Sequence, residues 1–149
     1  MTIYYGVIGC GMMGQEHLAN IALLPDAAVA AIFEPDPEMA ARAAQQAPGA
    51  ILVDTIDALL ADTRLDCLLI ASPNFCHIDH LEAIAAKVRL PILVEKPLFT
   101  NPADLSRIET FKQDYEAPVW VAMEYRYMPP MQEFLVRAQD VTGGIKMMT

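Results

Sequence analysis

Three glycines near the start of the chain have the spacing of a phosphate-binding turn. Gly9, Gly11 and Gly14 form a G-x-G-x-x-G pattern directly after an apolar run. In such a turn the first glycine permits the bend, the second lets the backbone approach a pyrophosphate, and the third lets a helix pack on the strand. The phosphate would lie on free N–H groups at the helix N-terminus. A glycine corner needed only for packing is the alternative, and the spacing alone does not separate the two.

A carboxylate stands where a dinucleotide would place its ribose. Glu34 follows a second apolar run, about 20 residues after Gly14. It can accept hydrogen bonds from the ribose hydroxyls and would repel a 2′-phosphate, and no Lys or Arg flanks it. The sequence therefore predicts NAD as the cofactor. NADP stays an alternative if a more distant base such as Arg42 reaches the site, and Glu34 would otherwise be a surface strand end.

Later apolar runs are also followed by polar residues. Ser72-Pro73-Asn74 ends a predicted fourth strand, where ligands of open α/β sheets bind, although a simple turn with an Asn74 cap explains it equally. Lys96, after the fifth strand, has the chemistry to donate a proton to, or polarise, a substrate oxygen beside a nicotinamide, and Glu95 could orient it. A solvated ion pair is the alternative.

Two further groups of polar side chains carry weaker predictions. Arg126, after the sixth predicted strand, either reaches the nicotinamide end or an anionic substrate, or is a surface residue. His77 and His80 are three apart on a predicted helix, and because no third ligand is near them, we predict surface or cap histidines and no metal site. His17 is predicted to be a packing residue of the first helix.

The elements that must position these residues alternate between strand and helix six times. The predicted strands cover residues 3–8, 28–33, 51–53, 66–71, 92–94 and 119–123. The predicted helices cover residues 12–24, 37–46, 55–60, 75–87, 101–114 and 130–139. This alternation predicts an α/β fold with a doubly wound parallel sheet, a three-layer α/β/α Rossmann fold. Gly143-Gly144 and the apolar residues after them predict that residues 1–142 form one domain and that 143–149 begin another. The alternative is a natural stand-alone domain in which these residues form a final strand.

Composition narrows the class of protein. The 149 residues are 54% hydrophobic with a formal net charge of −9, so the chain should fold, and its field should repel nucleic acid and anionic membranes. No apolar run reaches the ~20 residues of a membrane helix. There is no secretory signal pattern, and Cys10, Cys67 and Cys76 form no CxxC pair. We therefore expect a cytoplasmic protein with reduced thiols.

Together these segments resemble the Gfo/Idh/MocA family of NAD(P)-dependent oxidoreductases. The residues that carry the resemblance are Gly9-Cys10-Gly11-Met12-Met13-Gly14, Glu34-Pro35-Asp36-Pro37-Glu38, Ser72-Pro73-Asn74 with His77, Glu95-Lys96-Pro97, and Arg126 with Pro129. The resemblance implies a Rossmann domain followed by a larger α/β domain with an open antiparallel sheet. It also implies oxidation or reduction of a hydroxyl on a sugar, inositol or related polyol.

The resemblance assigns roles to individual positions. It implies that Lys96 is catalytic, that Glu34 binds the ribose, and that the cofactor is lined by the glycine turn with Cys10, Met12 and Met13, by Ser72, Pro73, Asn74, His77 and Glu95, and by Arg126. Two positions depart from the family pattern: Glu124 stands where Asn or Met is frequent, and Tyr125 where Arg is frequent.

The second domain that the resemblance implies would hold the substrate and the usual interface of a homo-oligomer. A chain without it should bind cofactor but turn over poorly. Two other functions stay open. One is a non-catalytic dinucleotide-sensing regulator, which the presence of Lys96 disfavours. The other is a redox-neutral NAD-using lyase or glycosidase, which the sequence does not separate from an oxidoreductase.

Overall fold

The computed structural model describes residues 1–142, and it contains six strands. The strands are β1 (Ile3–Ile8), β2 (Ala27–Phe33), β3 (Ile51–Val53), β4 (Cys67–Ile70), β5 (Ile92–Val94) and β6 (Val119–Val121). All of them are parallel and lie in the order β3-β2-β1-β4-β5-β6. This is the strand order of a doubly wound dinucleotide-binding fold, and the predicted fold class is confirmed.

Helices connect the strands and cover both faces of the sheet. The α-helices are α1 (Met12–Ala22), α2 (Pro37–Gln46), α3 (Ile56–Leu60), α4 (His77–Ala85), α5 (Leu105–Asp114) and α6 (Pro129–Thr142). Short 3-10 helices cover Asn74–Cys76, Pro102–Asp104 and Glu124–Tyr127. The helix predicted over residues 75–87 is therefore two elements, a 3-10 turn and then α4, and it ends earlier than predicted.

The core lies in two layers because the central strands are buried on both faces. In β1, Val7 belongs to the cluster under α1 and α2, whereas Ile8 belongs to the larger cluster under α3, α4 and α5. In β4, Leu69 faces the first cluster while Leu68 and Ile70 face the second. This explains why β4 is apolar without alternation, as expected for a parallel strand covered twice.

Side-chain caps start α2 and α3 where the sequence predicts. The Asp36 carboxylate accepts hydrogen bonds from the backbone N–H groups of Glu38 and Met39, both at 2.9 Å, and Pro37 takes the first helical position. Thr55 caps α3 through its hydroxyl at 3.0 Å. The Asp36 cap fixes the first turn of α2 and, because Glu34 accepts a hydrogen bond from the Asp36 N–H, the loop that carries Glu34. The Thr55 cap fixes the first turn of α3.

The last described helix leaves much of its apolar side uncovered. Met131, Phe134 and Val136 of α6 are 40%, 56% and 63% exposed. None of the helices described in residues 1–142 is long and apolar enough to cross a membrane. The turn predicted at Gly143-Gly144 and the strand predicted after it lie outside the described residues.

Candidate functional site

The fold brings the predicted segments to one edge of the sheet. The glycine turn follows β1, Glu34 follows β2, and Ser72, Lys96 and Arg126 follow β4, β5 and β6. Parallel strands end on the same side, so all five loops lie along the carboxyl edge. The strand order reverses between β1 and β4, and ligands of open α/β sheets bind at such a switch point.

The three glycines of the turn differ in what a side chain would meet. A Cβ at Gly9, whose φ is 89°, would lie 2.5 Å from the backbone of Ser72. A Cβ at Gly14 would lie 2.4 Å from the carbonyl oxygen of Gly9. A Cβ at Gly11 would meet no atom of residues 1–142 within 4 Å. Packing therefore explains Gly9 and Gly14, whereas Gly11 faces open space in the protein itself.

Gly11 also stands at the N-terminus of α1. It is the N-cap residue with no side-chain cap, and the first turn of α1 carries no acidic side chain. The N–H groups of that turn are thus left to water or to a ligand. A helix N-terminus beside a position with space for a phosphate is the arrangement that the glycine spacing predicts.

Glu34 lies directly beside this turn. Its Oε2 accepts a hydrogen bond from the backbone N–H of Cys10 at 2.5 Å, and its Oε1 accepts one from Asp36 at 2.9 Å. Two backbone donors therefore hold the carboxylate against the turn. A cavity of about 310 Å³ opens here, lined by Gly9, Gly11, Met12, Met13, Glu34, Met39, Ala71, Ser72 and Pro73.

Cys10 contributes backbone rather than thiol chemistry. Its side chain is fully buried, and burial, reinforced by the negative charge of Glu34, raises the pKa of the thiol to about 12. The thiol therefore stays protonated at neutral pH and is not a nucleophile. All three cysteines of the chain are unpaired.

Two histidines hold the Ser72 loop. The ring of His77 is completely buried, with Nε2 at 3.0 Å from the Ser72 carbonyl oxygen and Nδ1 at 2.8 Å from that of Pro97. Nδ1 of His80 lies 2.9 Å from the Ser72 hydroxyl. The prediction of surface or cap histidines was wrong for His77, since burial under two strand-end loops occupies both of its ring nitrogens with protein atoms.

Asn74 does not act as the side-chain cap that the simpler interpretation required. Among the described residues, neither its 3-10 turn nor α4 has a side-chain cap hydrogen bond. Asn74 is exposed beside the cavity that Ser72 and Pro73 line. Its role toward a cofactor stays a prediction, as does that of His77, which can act only through the loops that it holds.

The environment of His80 leads to a prediction about pH. Burial and, to a smaller extent, His77 lower the pKa of His80, and Asp79 opposes them in part. As pH falls below the ordinary histidine value of about 6.5, the unfolded chain takes up the proton first, so the free energy of unfolding should fall until the lowered pKa is passed.

Urea unfolding between about pH 8 and pH 5 measures this effect. The matched variant is His80→Asn, whose amide can replace Nδ1 at the Ser72 hydroxyl but does not titrate. The unfolding free energy of the wild type minus that of the variant should shrink or reverse as pH falls through that window, because only the wild type has His80 to protonate. The carboxylates are common to both proteins, so their effect cancels in this difference. Parallel curves would contradict the assignment.

Lys96 lies at the second opening of the carboxyl edge. Its Nζ is 4.0 Å from Glu95 Oε2 and 3.5 Å from Glu124 Oε1, and the side chain is 43% exposed. A cavity of about 520 Å³ lies over it, lined by Lys96, Met123, Glu124, Tyr125, Arg126, Met131 and Leu135. An amine between two carboxylates at the floor of an open cavity can hold and deliver a proton.

Glu95, unlike the adjacent Lys96, is buried. It is 5% exposed, and its Oε1 lies 2.8 Å from Nε2 of His17. The prediction that His17 merely packs in the first helix was wrong, because its ring reaches across to the end of β5. The pairing joins residues far apart in sequence, so spacing carried no signal of it.

The contact of Glu124 with Lys96 was not predicted from the sequence either. The only sign in the sequence was that Glu124 departs from the family pattern in a segment already singled out for Arg126. Arg126 lines the same cavity as Lys96, so the structure brings the two cationic residues to one opening.

Among the described residues, no group of three His, Cys, Asp or Glu side chains could hold a metal ion.

Comparison with known proteins finds relatives with an NAD-binding Rossmann fold. A family model, GFO_IDH_MocA, described as an oxidoreductase family with an NAD-binding Rossmann fold, matches residues 3–123. An inositol 2-dehydrogenase of Corynebacterium glutamicum strain R is 36% identical over 130 residues, which are 86% of this chain and 38% of that protein. The chain thus spans well under half the length of this relative.

Two solved structures are also similar. A myo-inositol dehydrogenase from Lactobacillus casei, in complex with NAD(H) and myo-inositol, superposes with a TM-score of 0.86 at 24% identity. The match covers 97% of this chain and 43% of that one. A putative myo-inositol dehydrogenase from Sinorhizobium meliloti 1021 has a TM-score of 0.80 at 26% identity, covering 93% of this chain and 41% of that one.

Proposed function

Because the chain belongs to the Gfo/Idh/MocA oxidoreductase family, we propose that residues 1–142 form the NAD-binding domain of an oxidoreductase that acts on a sugar, inositol or related polyol. The observation that carries the proposal is Gly11. A Cβ there would touch none of the described residues, and Gly11 stands beside a fixed carboxylate at a helix N-terminus that no side chain of those residues caps.

The residues of the first cavity suit NAD in particular. The N–H groups at the start of α1 would hold the pyrophosphate, and Glu34 would accept hydrogen bonds from the ribose hydroxyls. Glu34 is anchored by two backbone N–H groups, so it is not free to move away from a 2′-phosphate. This supports NAD over NADP.

Lys96 is the residue that we assign to the chemistry. NAD, when bound, supplies the nicotinamide that accepts or returns hydride. Lys96 Nζ, at the floor of the larger cavity, would take the proton from the substrate hydroxyl during oxidation and return it during reduction. Glu124 and Glu95 would hold the amine in place at 3.5 and 4.0 Å, and Arg126 would contact the substrate or the nicotinamide end.

The rest of the site would come from a second domain that begins at about residue 143. Exposed apolar side chains support this proposal: Tyr125 and Met131 line the cavity over Lys96, and Tyr127 and Phe134 are exposed in the same segment of the chain. We propose that the complete protein is a homo-oligomer. The net charge of −9 supports a small-molecule substrate rather than nucleic acid, and the unpaired cysteines support a cytoplasmic location.

A chimera tests the activity. The stretch of the Corynebacterium glutamicum relative that the chain matches would be replaced by the corresponding residues of this chain, and NADH formation would be followed with inositols and related polyols. We expect polyol-dependent reduction of NAD. A folded, NADH-binding chimera that converts none of them would contradict the proposal, and conversion without net NADH formation would indicate the redox-neutral chemistry instead.

A further inference from the structure

A buried carboxylate joins the phosphate-binding helix to the strand end that carries Lys96. Glu95 Oε1 lies 2.8 Å from His17 Nε2, on α1, and Glu95 Oε2 accepts a hydrogen bond from the backbone N–H of Lys96 at 3.2 Å. One side chain thus contacts both the helix that begins at the glycine turn and the residue assigned to the chemistry.

The burial of Glu95 makes these two contacts obligatory. A carboxylate that is only 5% exposed is costly unless donors satisfy both of its oxygens. His17 serves Oε1, and the Lys96 N–H serves Oε2, with Lys96 Nζ farther away at 4.0 Å. If His17 moves, Glu95 must move with it or lose a hydrogen-bond partner. Because Glu95 also accepts a hydrogen bond from the Lys96 N–H, such a movement reaches the Lys96 backbone.

His17 lies on the helix whose first turn would contact a ligand at the glycine turn. It lies on α1, whose first turn carries the N–H groups left for a phosphate, and its neighbour Leu18 packs in the core beneath the helix. The described residues that line the two cavities at the carboxyl edge do not include His17. We therefore give its ring no direct contact with the cofactor or the substrate.

We propose that His17 is a positioning residue. Through Glu95, it makes the backbone of Lys96 more rigid when cofactor binds at the N-terminus of α1. The inference rests on the proposed function, because the ligand at the turn is taken to be NADH. It predicts that binding at the turn rigidifies the Lys96 backbone, which lies on a different strand end, and that this response requires the His17 contact.

Residue-resolved amide hydrogen exchange of the 149-residue chain, with and without NADH, tests the coupling. In the wild type, NADH should slow exchange at Gly11, Met12 and Met13 and also at Lys96, the latter by about fivefold or more. In His17→Leu the first three amides should still be protected, whereas protection of Lys96 should be lost. His17→Gln, whose side-chain amide can donate to Glu95 in place of Nε2, should restore it.

The outcomes separate the two proposals. Equal slowing of the Lys96 amide in the wild type and in His17→Leu would overturn the coupling while leaving NADH binding intact. No slowing at the glycine turn of the wild type would overturn the proposed cofactor and the coupling with it. If His17→Leu does not fold, His17→Asn is the substitute. Its side chain is too short to reach Glu95, and it suits a position that is 20% exposed.

Discussion

Replacing Lys96 by alanine in the chimera should lower turnover by about 10²- to 10⁴-fold, the loss typical of a removed acid or base. NADH affinity should change by no more than a few-fold, because Lys96 lines the cavity away from the glycine turn. Steady-state kinetics with the polyol, together with calorimetric titration of NADH, measures the two effects separately.

Two further variants make the result specific. Lys112→Ala removes an exposed lysine of α5 that lines neither of the two cavities at the carboxyl edge, and it should leave turnover unchanged. Lys96→Arg keeps the positive charge but cannot give up a proton at neutral pH, so it should be nearly as inactive as the alanine variant. Full activity of Lys96→Ala would refute the assigned role. Full activity of Lys96→Arg would show that Lys96 contributes to turnover through its positive charge and not through proton transfer.

Substituting the second and third glycines of the turn should have opposite consequences. Gly11→Ala should change the free energy of unfolding by less than about 1 kcal/mol, because its Cβ meets no atom of the described residues and only the preference of an N-cap position for glycine over alanine is lost. It should nevertheless weaken NADH binding by at least about tenfold, or about 1.4 kcal/mol, because the Cβ occupies space needed by the pyrophosphate.

Gly14→Ala is the matched comparison. Its Cβ would lie 2.4 Å from the backbone oxygen of Gly9, so the chain should be destabilised by about 1–3 kcal/mol. Urea unfolding and NADH titration of both variants give the four values needed. If Gly11→Ala bound NADH as tightly as the wild type, no pyrophosphate would approach the backbone there, and the glycine turn would be a packing feature only.

Much of the fold could be predicted because each element has a local cause. Asp36 before Pro37 marks the start of α2, and Ile51–Val53 stands as a short apolar run between turns. The errors lie at element ends, where local signals compete. After Pro73, for example, the chain makes a 3-10 turn before α4 instead of one continuous helix.

The geometry of the candidate site could be predicted where a single βαβ unit forms it, but contacts between separate units were missed. The glycine turn and the position of Glu34 follow from spacing along a single βαβ unit. The contacts of His17 with Glu95 and of Lys96 with Glu124 join separate units, so only the order of strands in the sheet brings them together. The burial of His77 likewise depends on two loops that converge on one ring.

Calorimetric titration of the 149 residues with NADH and, separately, NADPH measures whether this chain binds NAD, on which the proposed function depends most directly. We predict a clear association with NADH and a much weaker one with NADPH, because the anchored carboxylate of Glu34 opposes a 2′-phosphate. Tighter binding of NADPH would overturn the role of Glu34 and keep the fold. Binding of neither nucleotide would contradict the central claim that Gly11 and the start of α1 form a dinucleotide site.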